Sequence, residues 1–279
     1  MKTEFFTLIT GASTGFGKAL ALDFAAQQHN IIMVSLPCRE LQLLGNFIEK
    51  NFGVKVYCFE KDLSSEQQCN ELYDQVSLMG LQVNILVNNA GIGGTDYFEN
   101  KAFSFYKKQL DINVMAPTCL SYLFLDDLKK NSPSHILNVS SLAGFCCVPQ
   151  KQVYGGSKSY LQFFSRSLAY ELKQYNIAVS VVCPGAMNTT ALHTWKNKQG
   201  SWLMKNSVMK PEVVAKITIQ KMFLKRAVII PGFYNKMFRQ LDKITPGSLK
   251  SFLLNNQFKK MESQLTKAFV PVKTLMKTA

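Results

Sequence analysis

The chain lacks any apolar run approaching the roughly 18 to 20 residues that would span a bilayer, and its 279 residues include only three histidines. The seven cysteines (38, 58, 69, 119, 146, 147 and 183) are odd in number and show no CxxC spacing. That pattern argues against a zinc site or a disulfide frame and reads as reduced intracellular thiols. The N-terminus lacks the blocks of a signal peptide, since Met1-Lys2-Thr3-Glu4 leads straight into the apolar stretch Phe5 to Ile9. A cytoplasmic protein without a metal is the expectation. Acidic residues run short in one region only. From Met1 to Trp195, 15 Lys+Arg meet 15 Asp+Glu; from Lys196 to Ala279, 17 meet 3, so the whole net charge of +14 sits in the last third. Nucleic acid, an anionic membrane surface or an acidic ligand could use that excess, and so could simple solubility. No nucleic-acid recognition motif accompanies it, so nucleic acid is the least favoured partner.

What is present is 47% hydrophobic sequence, enough for one large domain with a substantial core. Phe5 to Ile9 suits a buried parallel strand and feeds Thr10-Gly11-Ala12-Ser13-Thr14-Gly15-Phe16-Gly17, after which Lys18 to Gln28 has helical spacing. Strand, glycine turn and helix form the context of a phosphate-binding turn: the backbone approaches the pyrophosphate and the free amides of the helix point at it. The second strand, Ile31 to Val34, ends at Ser35-Leu36-Pro37-Cys38-Arg39 instead of a carboxylate. Without a carboxylate nothing repels a 2′-phosphate, which favours NADP(H) over NAD(H). Arg39 reads either as the phosphate partner or as a solvated residue opening a helix.

The alternation continues. Helix Leu41 to Asn51, strand Val54 to Phe59 and helix Glu66 to Met79 precede strand Val83 to Val87, which ends in Asn88-Asn89-Ala90-Gly91. The spacing predicts one long helix over Phe103 to Lys129, with Asn113 in its middle; taken alone, such an Asn reads as solvent-facing or as a local kink. Strand His135 to Val139 delivers Ser140-Ser141. Helix Val153 to Tyr175, strand Ile177 to Val182, Cys183-Pro184-Gly185, helix Val213 to Leu224 and strand Ala227 to Ile230 complete one doubly wound, Rossmann-type parallel sheet of about seven strands, an α/β fold over residues 1 to 232. Residues 189 to 210 read either as a substrate loop over a site or as a plain surface loop, and residues 233 to 279 as a basic, helical, amphipathic extension. Tyr154 and Lys158 are four apart and share a helix face. An ammonium near a phenol favours phenolate, and a serine beside both could hold a carbonyl oxygen, which suits proton transfer coupled to hydride transfer.

These residues together resemble the short-chain dehydrogenase/reductase family. The resemblance covers about residues 4 to 232 and rests on TGASTGFG (10 to 17), DL (62 to 63), NNAG (88 to 91), Asn113, the SS/YxxxK pair and PGxxxT (184 to 189). It implies a catalytic tetrad of Asn113, Ser141, Tyr154 and Lys158. Tyr154 would be the general acid in reduction, and Lys158 would lower its pKa and bond the nicotinamide ribose. Ser141 would hold the substrate oxygen, and Asn113 a water linking Lys158 to solvent, on a helix commonly kinked there. Gly11, Ser13, Gly15, Phe16 and Gly17 would line the pyrophosphate turn, Asp62 and Leu63 the adenine pocket, and Asn89, Ala90 and Gly91 the adenosine side. Thr189 would bond the carboxamide, with Pro184 and Gly185 also at the cofactor. The family usually carries Asp where this chain has Asn84, away from the chemistry. The last third resembles the subgroup reducing hydrophobic ketones, such as 3-oxoacyl and steroid substrates. Phe145, Cys146, Cys147, Val148 and Trp195 either form that pocket or pack the core edge. A homodimer or homotetramer built on the helices of Asn113 and Tyr154 is implied. The competing reading is a non-catalytic NAD(P)-binding regulator or scaffold. The basic tail suggests contact with an anionic membrane surface, an oligomer interface or a flap over the pocket being the competing uses.

Overall fold

The computed structural model describes residues 4–188 and 206–246. Seven apolar runs form strands: β1 (Phe5–Thr10), β2 (Asn30–Ser35), β3 (Val56–Glu60), β4 (Gln82–Asn88), β5 (Ser134–Val139), β6 (Ile177–Val182) and β7 (Val228–Ile229). They pair in parallel, in the order β3-β2-β1-β4-β5-β6-β7. Strand side chains alternate between faces, so β2 sends Ile31 and Met33 to one side and Ile32 and Val34 to the other. Both faces are covered, which is why these strands read as continuous apolar runs.

On one face lie α1 (Gly15–Ala26), α2 (Arg39–Phe52) and α8 (Pro211–Phe223), packed through Leu20, Phe24, Leu41, Ile48, Val214 and Ile219. The other face carries α3 (Glu66–Leu78), α5 (Ala116–Leu123), α6 (Leu125–Lys130) and α7 (Gln152–Leu172), packed through Leu72, Val76, Leu120, Phe124, Leu128 and Leu172. Each such side chain stabilises the fold by about 1.5–3 kcal/mol on burial. The strand order reverses between β1 and β4, which opens a crevice beyond their carboxyl ends. The β1–β4 register shifts between Phe6 and Thr7, skipping Asn84, whose buried Oδ1 has no hydrogen-bond partner among the described residues.

The single long helix expected over Phe103 to Lys129 is broken. It runs as α4 (Phe103–Leu110), one π-helical turn (Asp111–Met115), α5 and α6. Pro117 explains the first break: it has no N–H to donate to the Asn113 carbonyl four residues back, and its ring crowds that carbonyl. The widened turn relieves the crowding and re-aims Asn113. After β7, α9 (Phe233–Ile244) turns back across the carboxyl end of the sheet. No helix among the described residues is long and apolar enough to cross a membrane. Thr189, Trp195, most of the expected loop and residues 247–279 lie outside the described residues.

Candidate active site

At the crevice the glycine turn and the end of β4 are tied together. Gly11 adopts φ +63°, a conformation that side chains resist. A Cβ at Gly17 would run into the Gly11 carbonyl and the Asn89 amide. The Asn89 Nδ2 donates to the carbonyls of Thr10 (2.8 Å) and Gly11 (3.1 Å), while the Thr10 hydroxyl accepts from the amides of Asn89 and Ala90, both at 2.9 Å. Helix α1 begins without a side-chain cap on its first amides. Its N-terminal donors therefore suit an anion held in the crevice. Asp62 is committed to protein groups: its Oδ1 accepts from the Ser64 amide and hydroxyl and its Oδ2 from Lys108. Burial pushes that carboxyl up, but the Ser64 and Lys108 donors outweigh it and hold it below the usual range. Leu63 packs into the core beneath. Arg39 opens α2 and is exposed.

The two serines after β5 divide their roles. Ser140 is buried and donates to the Lys158 carbonyl at 2.6 Å, pinning α7 to the sheet. Ser141 instead stands by the Tyr154 phenol, whose pKa its hydroxyl works to lower, and accepts from the Ala143 amide at 3.2 Å. Lys158, itself buried, donates to the Val139 carbonyl at 2.9 Å, with its Nζ 5.8 Å from the Tyr154 ring centre. Asn113 is fully buried; its Oδ1 accepts from the Ile92 amide at 2.9 Å, and its Nδ2 donates to the Ile92 carbonyl at 3.0 Å and to Ser157 Oγ at 3.1 Å. Asn113 and Lys158 both crowd Gly91, where a Cβ would sit 3.0 Å from Asn113 Oδ1 and 3.2 Å from Lys158 Nζ.

Burial raises the Tyr154 phenol above its ordinary value of 10, and the Ser141 hydroxyl works the other way. The phenol therefore keeps its proton at neutral pH and is a donor. Burial also pulls Lys158 down to about 8, opposed by the nearby Cys183 sulfur, so at neutral pH the ammonium is still mostly charged.

Above these groups opens a cleft of about 680 Å³. Phe16, Asn89, Gly91, Pro184 and Gly185 line it, as do Cys146 and Val148 of the expected substrate set. Phe145 and Cys147 do not. The Phe145 ring is covered by the Arg239 guanidinium at 4.1 Å, and Cys147 is exposed. The structure adds Leu142, Lys151 and Met187, together with Tyr234, Asn235 and Phe238 from α9. The four-residue spacing of Tyr234 and Phe238 after Pro231-Gly232 is the one sequence signal that could have placed them there.

A family model described as short chain dehydrogenase matches residues 6–200. The 7alpha-hydroxysteroid dehydrogenase of Escherichia coli (strain K12) is 30% identical over 211 residues, covering 75% of this chain and 76% of that one. The very-long-chain 3-oxoacyl-CoA reductase-B of Danio rerio is 30% identical over 190 residues, 66% of this chain; the chain spans only 60% of that relative's length. A short-chain dehydrogenase from Sphingobium yanoikuyae in complex with NADPH shares the fold at TM-score 0.73 and 22% identity, over 93% of this chain and 96% of that one. One from Burkholderia phymatum in complex with NAD does so at TM-score 0.74 and 21% identity, over 85% and 92%. With the family model spanning most of its length, the chain belongs to the short-chain dehydrogenase family.

Proposed function

We propose that the protein is an NAD(P)(H)-dependent oxidoreductase that reduces a hydrophobic ketone to a secondary alcohol. The observation that carries this reading is the gathering of Ser141, Tyr154 and a buried Lys158 at the floor of an apolar cleft. The residues present fit a dinucleotide: the uncapped start of α1 and the close Gly11–Gly17 approach leave room and donors for a pyrophosphate. Gly11, Ser13, Gly15, Phe16 and Gly17 would hold that part, Asp62, Leu63, Asn89, Ala90 and Gly91 the adenosine side, and Pro184, Gly185 and Thr189 the carboxamide. The nicotinamide, when bound, supplies the hydride.

The chain's own residues do the rest. Ser141 orients the carbonyl oxygen, and Tyr154 gives it a proton as negative charge develops there. The Lys158 ammonium stabilises the phenolate left behind and would bond the nicotinamide ribose. Asn113 keeps the backbone at Ile92 in place beside them. The walls formed by Ile92, Leu142, Val148, Tyr234 and Phe238 exclude water and favour an alkyl or ring substrate. The activities in the names of two relatives, 3-oxoacyl-CoA reductase and 7alpha-hydroxysteroid dehydrogenase, accord with that class.

Tyr154→Phe should lower turnover by about 10²–10⁴-fold while cofactor affinity stays close to wild type. Wild-type turnover in this variant would remove Tyr154 from the role. Cofactor binding without turnover of any ketone or alcohol would favour a regulator instead.

NADP(H) is the favoured cofactor. Ser35 ends β2 with its hydroxyl turned to the Leu36 carbonyl at 2.8 Å, and no carboxylate follows before Arg39. Tighter NADPH than NADH binding, erased by Arg39→Ala, is the expected result. The exposed Phe103, Tyr122, Phe163 and Tyr170 on α4, α5 and α7 support self-association into a dimer or tetramer through those helices. Light scattering of Phe163→Glu reads this directly, and an unchanged mass would redirect the search for the interface. The basic tail is proposed to meet anionic membrane. Removing residues 248–279 should abolish sedimentation with anionic vesicles, and undiminished binding would end that idea.

A further inference from the structure

Helix α9 presents its faces in reverse. At about 100° per residue, Phe233, Tyr234, Met237, Phe238, Leu241 and Ile244 fall within an arc of about 140°, and every polar residue falls outside it. A surface helix ordinarily turns such an arc toward the core. Here the polar side is turned inward. Asn235 is only 3% exposed and bonds the Pro231 and Ser207 carbonyls. The Arg239 guanidinium covers the Phe145 ring and pairs with the Asp242 carboxylate at 3.2 Å. The apolar arc is left outside: Phe233 and Ile244 are 76% and 75% exposed, and Phe238 and Leu241 are exposed as well. The arc also runs into the cleft, because Tyr234 and Phe238 at its far edge line the cavity above Tyr154.

An exposed apolar face of this kind marks contact with another body. Its surroundings are cationic. Lys236 and Lys243 flank the arc and are exposed, and in residues 206–246 eight Lys and Arg meet two Asp and Glu. Two such faces brought together would set like charges side by side, whereas an anionic surface attracts them. We infer that the outward face of α9 inserts into an anionic lipid bilayer and, resting on the reductase reading above, that the hydrophobic ketone enters the cleft from the acyl layer. Phe233, Leu241 and Ile244 then sit among the acyl chains, Lys236 and Lys243 at the headgroup phosphates, and Tyr234 and Phe238 at the threshold of the cleft. An inserted apolar arc and an attracted basic segment are each weak alone, so the face and the basic tail act together.

The test sediments the full-length protein with phosphatidylcholine vesicles, with and without phosphatidylserine. Phe233→Asp/Ile244→Asp should weaken binding to the anionic vesicles on the order of 10²-fold, and Phe233→Leu/Ile244→Leu should keep it. Both positions are exposed, so melting temperature and turnover of a short, water-soluble ketone should match the wild type. Reduction of a long-chain ketone dissolved in the vesicles should fall with binding. Ile244→Trp gives a readout independent of the Asp pair: lipids brominated on their acyl chains should quench it beyond the wild type's own two tryptophans. Vesicle binding unmoved by the Asp pair, or no extra quenching at residue 244, would overturn the docking assignment. A halved mass of the Asp pair in light scattering, with vesicle binding intact, would give the face to a second copy instead. A lowered melting temperature that removal of residues 248–279 reproduces would give it to this chain's own tail. Vesicle binding without turnover of any ketone would remove the reductase reading and the delivery role, and leave the docking in place.

Discussion

The two sides of the cleft are built by opposite means. The side formed by the glycine turn and Asn88–Gly91 is short-range in sequence motif and rigid in structure. Thr10 and Asn89 exchange hydrogen bonds across the β1–β4 junction, so the turn is fixed by the sheet itself. The opposite wall is assembled from pieces far apart in the chain: Leu142, Cys146 and Val148, then Pro184 to Met187, Ser207, and Tyr234, Asn235 and Phe238. Asn235 joins them. Nearly fully buried, it donates to the carbonyls of Pro231 (2.8 Å) and Ser207 (3.3 Å) and packs against Gly185. The first side is set by backbone geometry, the second by side chains brought together from distant segments. Changes to the glycine side should therefore act on all substrates alike, and changes to the far wall on some more than others.

The harshest way to break that contrast is Gly17→Val. A side chain there must displace the Gly11 carbonyl or the Asn89 amide, and a shift of about 1 Å at a reacting centre costs on the order of 10²-fold. Nicotinamide binding, followed by fluorescence, should be lost for NADPH and NADH together. Retained binding would show that the turn is not the cradle. Next comes the serine pair. Ser141→Ala should lower kcat by about 10²-fold with little change in melting temperature. Ser140→Ala should instead cost about 1–3 kcal/mol of stability, because the groups it bonds stay buried. The reverse pattern would exchange their roles.

On the far wall, Phe238→Ala should raise KM for a bulky apolar ketone by about 10–200-fold and leave a small ketone nearly unaffected. Equal losses for both would mean that α9 supports the fold rather than the ligand. The pH profile sharpens the comparison from the floor. Lys158 is pulled down to about 8, so an activity that needs its ammonium is present below that pH and lost as pH rises through it. An alkaline limb near the ordinary lysine value of about 10.4 would contradict a buried Lys158.

The smallest effect on catalysis belongs to a site remote from both walls. His135 is buried against Phe223, its Nδ1 has no hydrogen-bond partner among the described residues, and burial pulls it down to about 4, helped by Lys225 and His29. It folds neutral but is charged in the unfolded chain below its ordinary 6.5. Its share of stability is whole above 6.5 and lost as pH falls toward 4, roughly 3 kcal/mol in all. His135→Phe should flatten that acid limb in denaturant titrations without moving the alkaline limb of activity. An unchanged acid limb would place the acid sensitivity elsewhere.

By itself the sequence determined the sheet, the glycine turn, Asn88–Gly91 and the Tyr154–Lys158 pair, because each is dictated by local periodicity or by spacing along one element. Ile31 to Val34 can only be a strand buried on both faces, and two residues four apart on a helix must share a face. Tertiary structure alone decided what meets across the cleft. Only the assembled fold turned Ser140 toward the Lys158 carbonyl and Ser141 toward the phenol, and only there did the Asn113 side chain meet Ile92 and Ser157. Phe145 left the substrate wall because Arg239, 94 positions away, covers its ring, while Tyr234 and Phe238 entered it. The physical reason is common to these cases. Local periodicity fixes the direction of a side chain within its own element, but its neighbours are chosen by how elements distant in sequence pack.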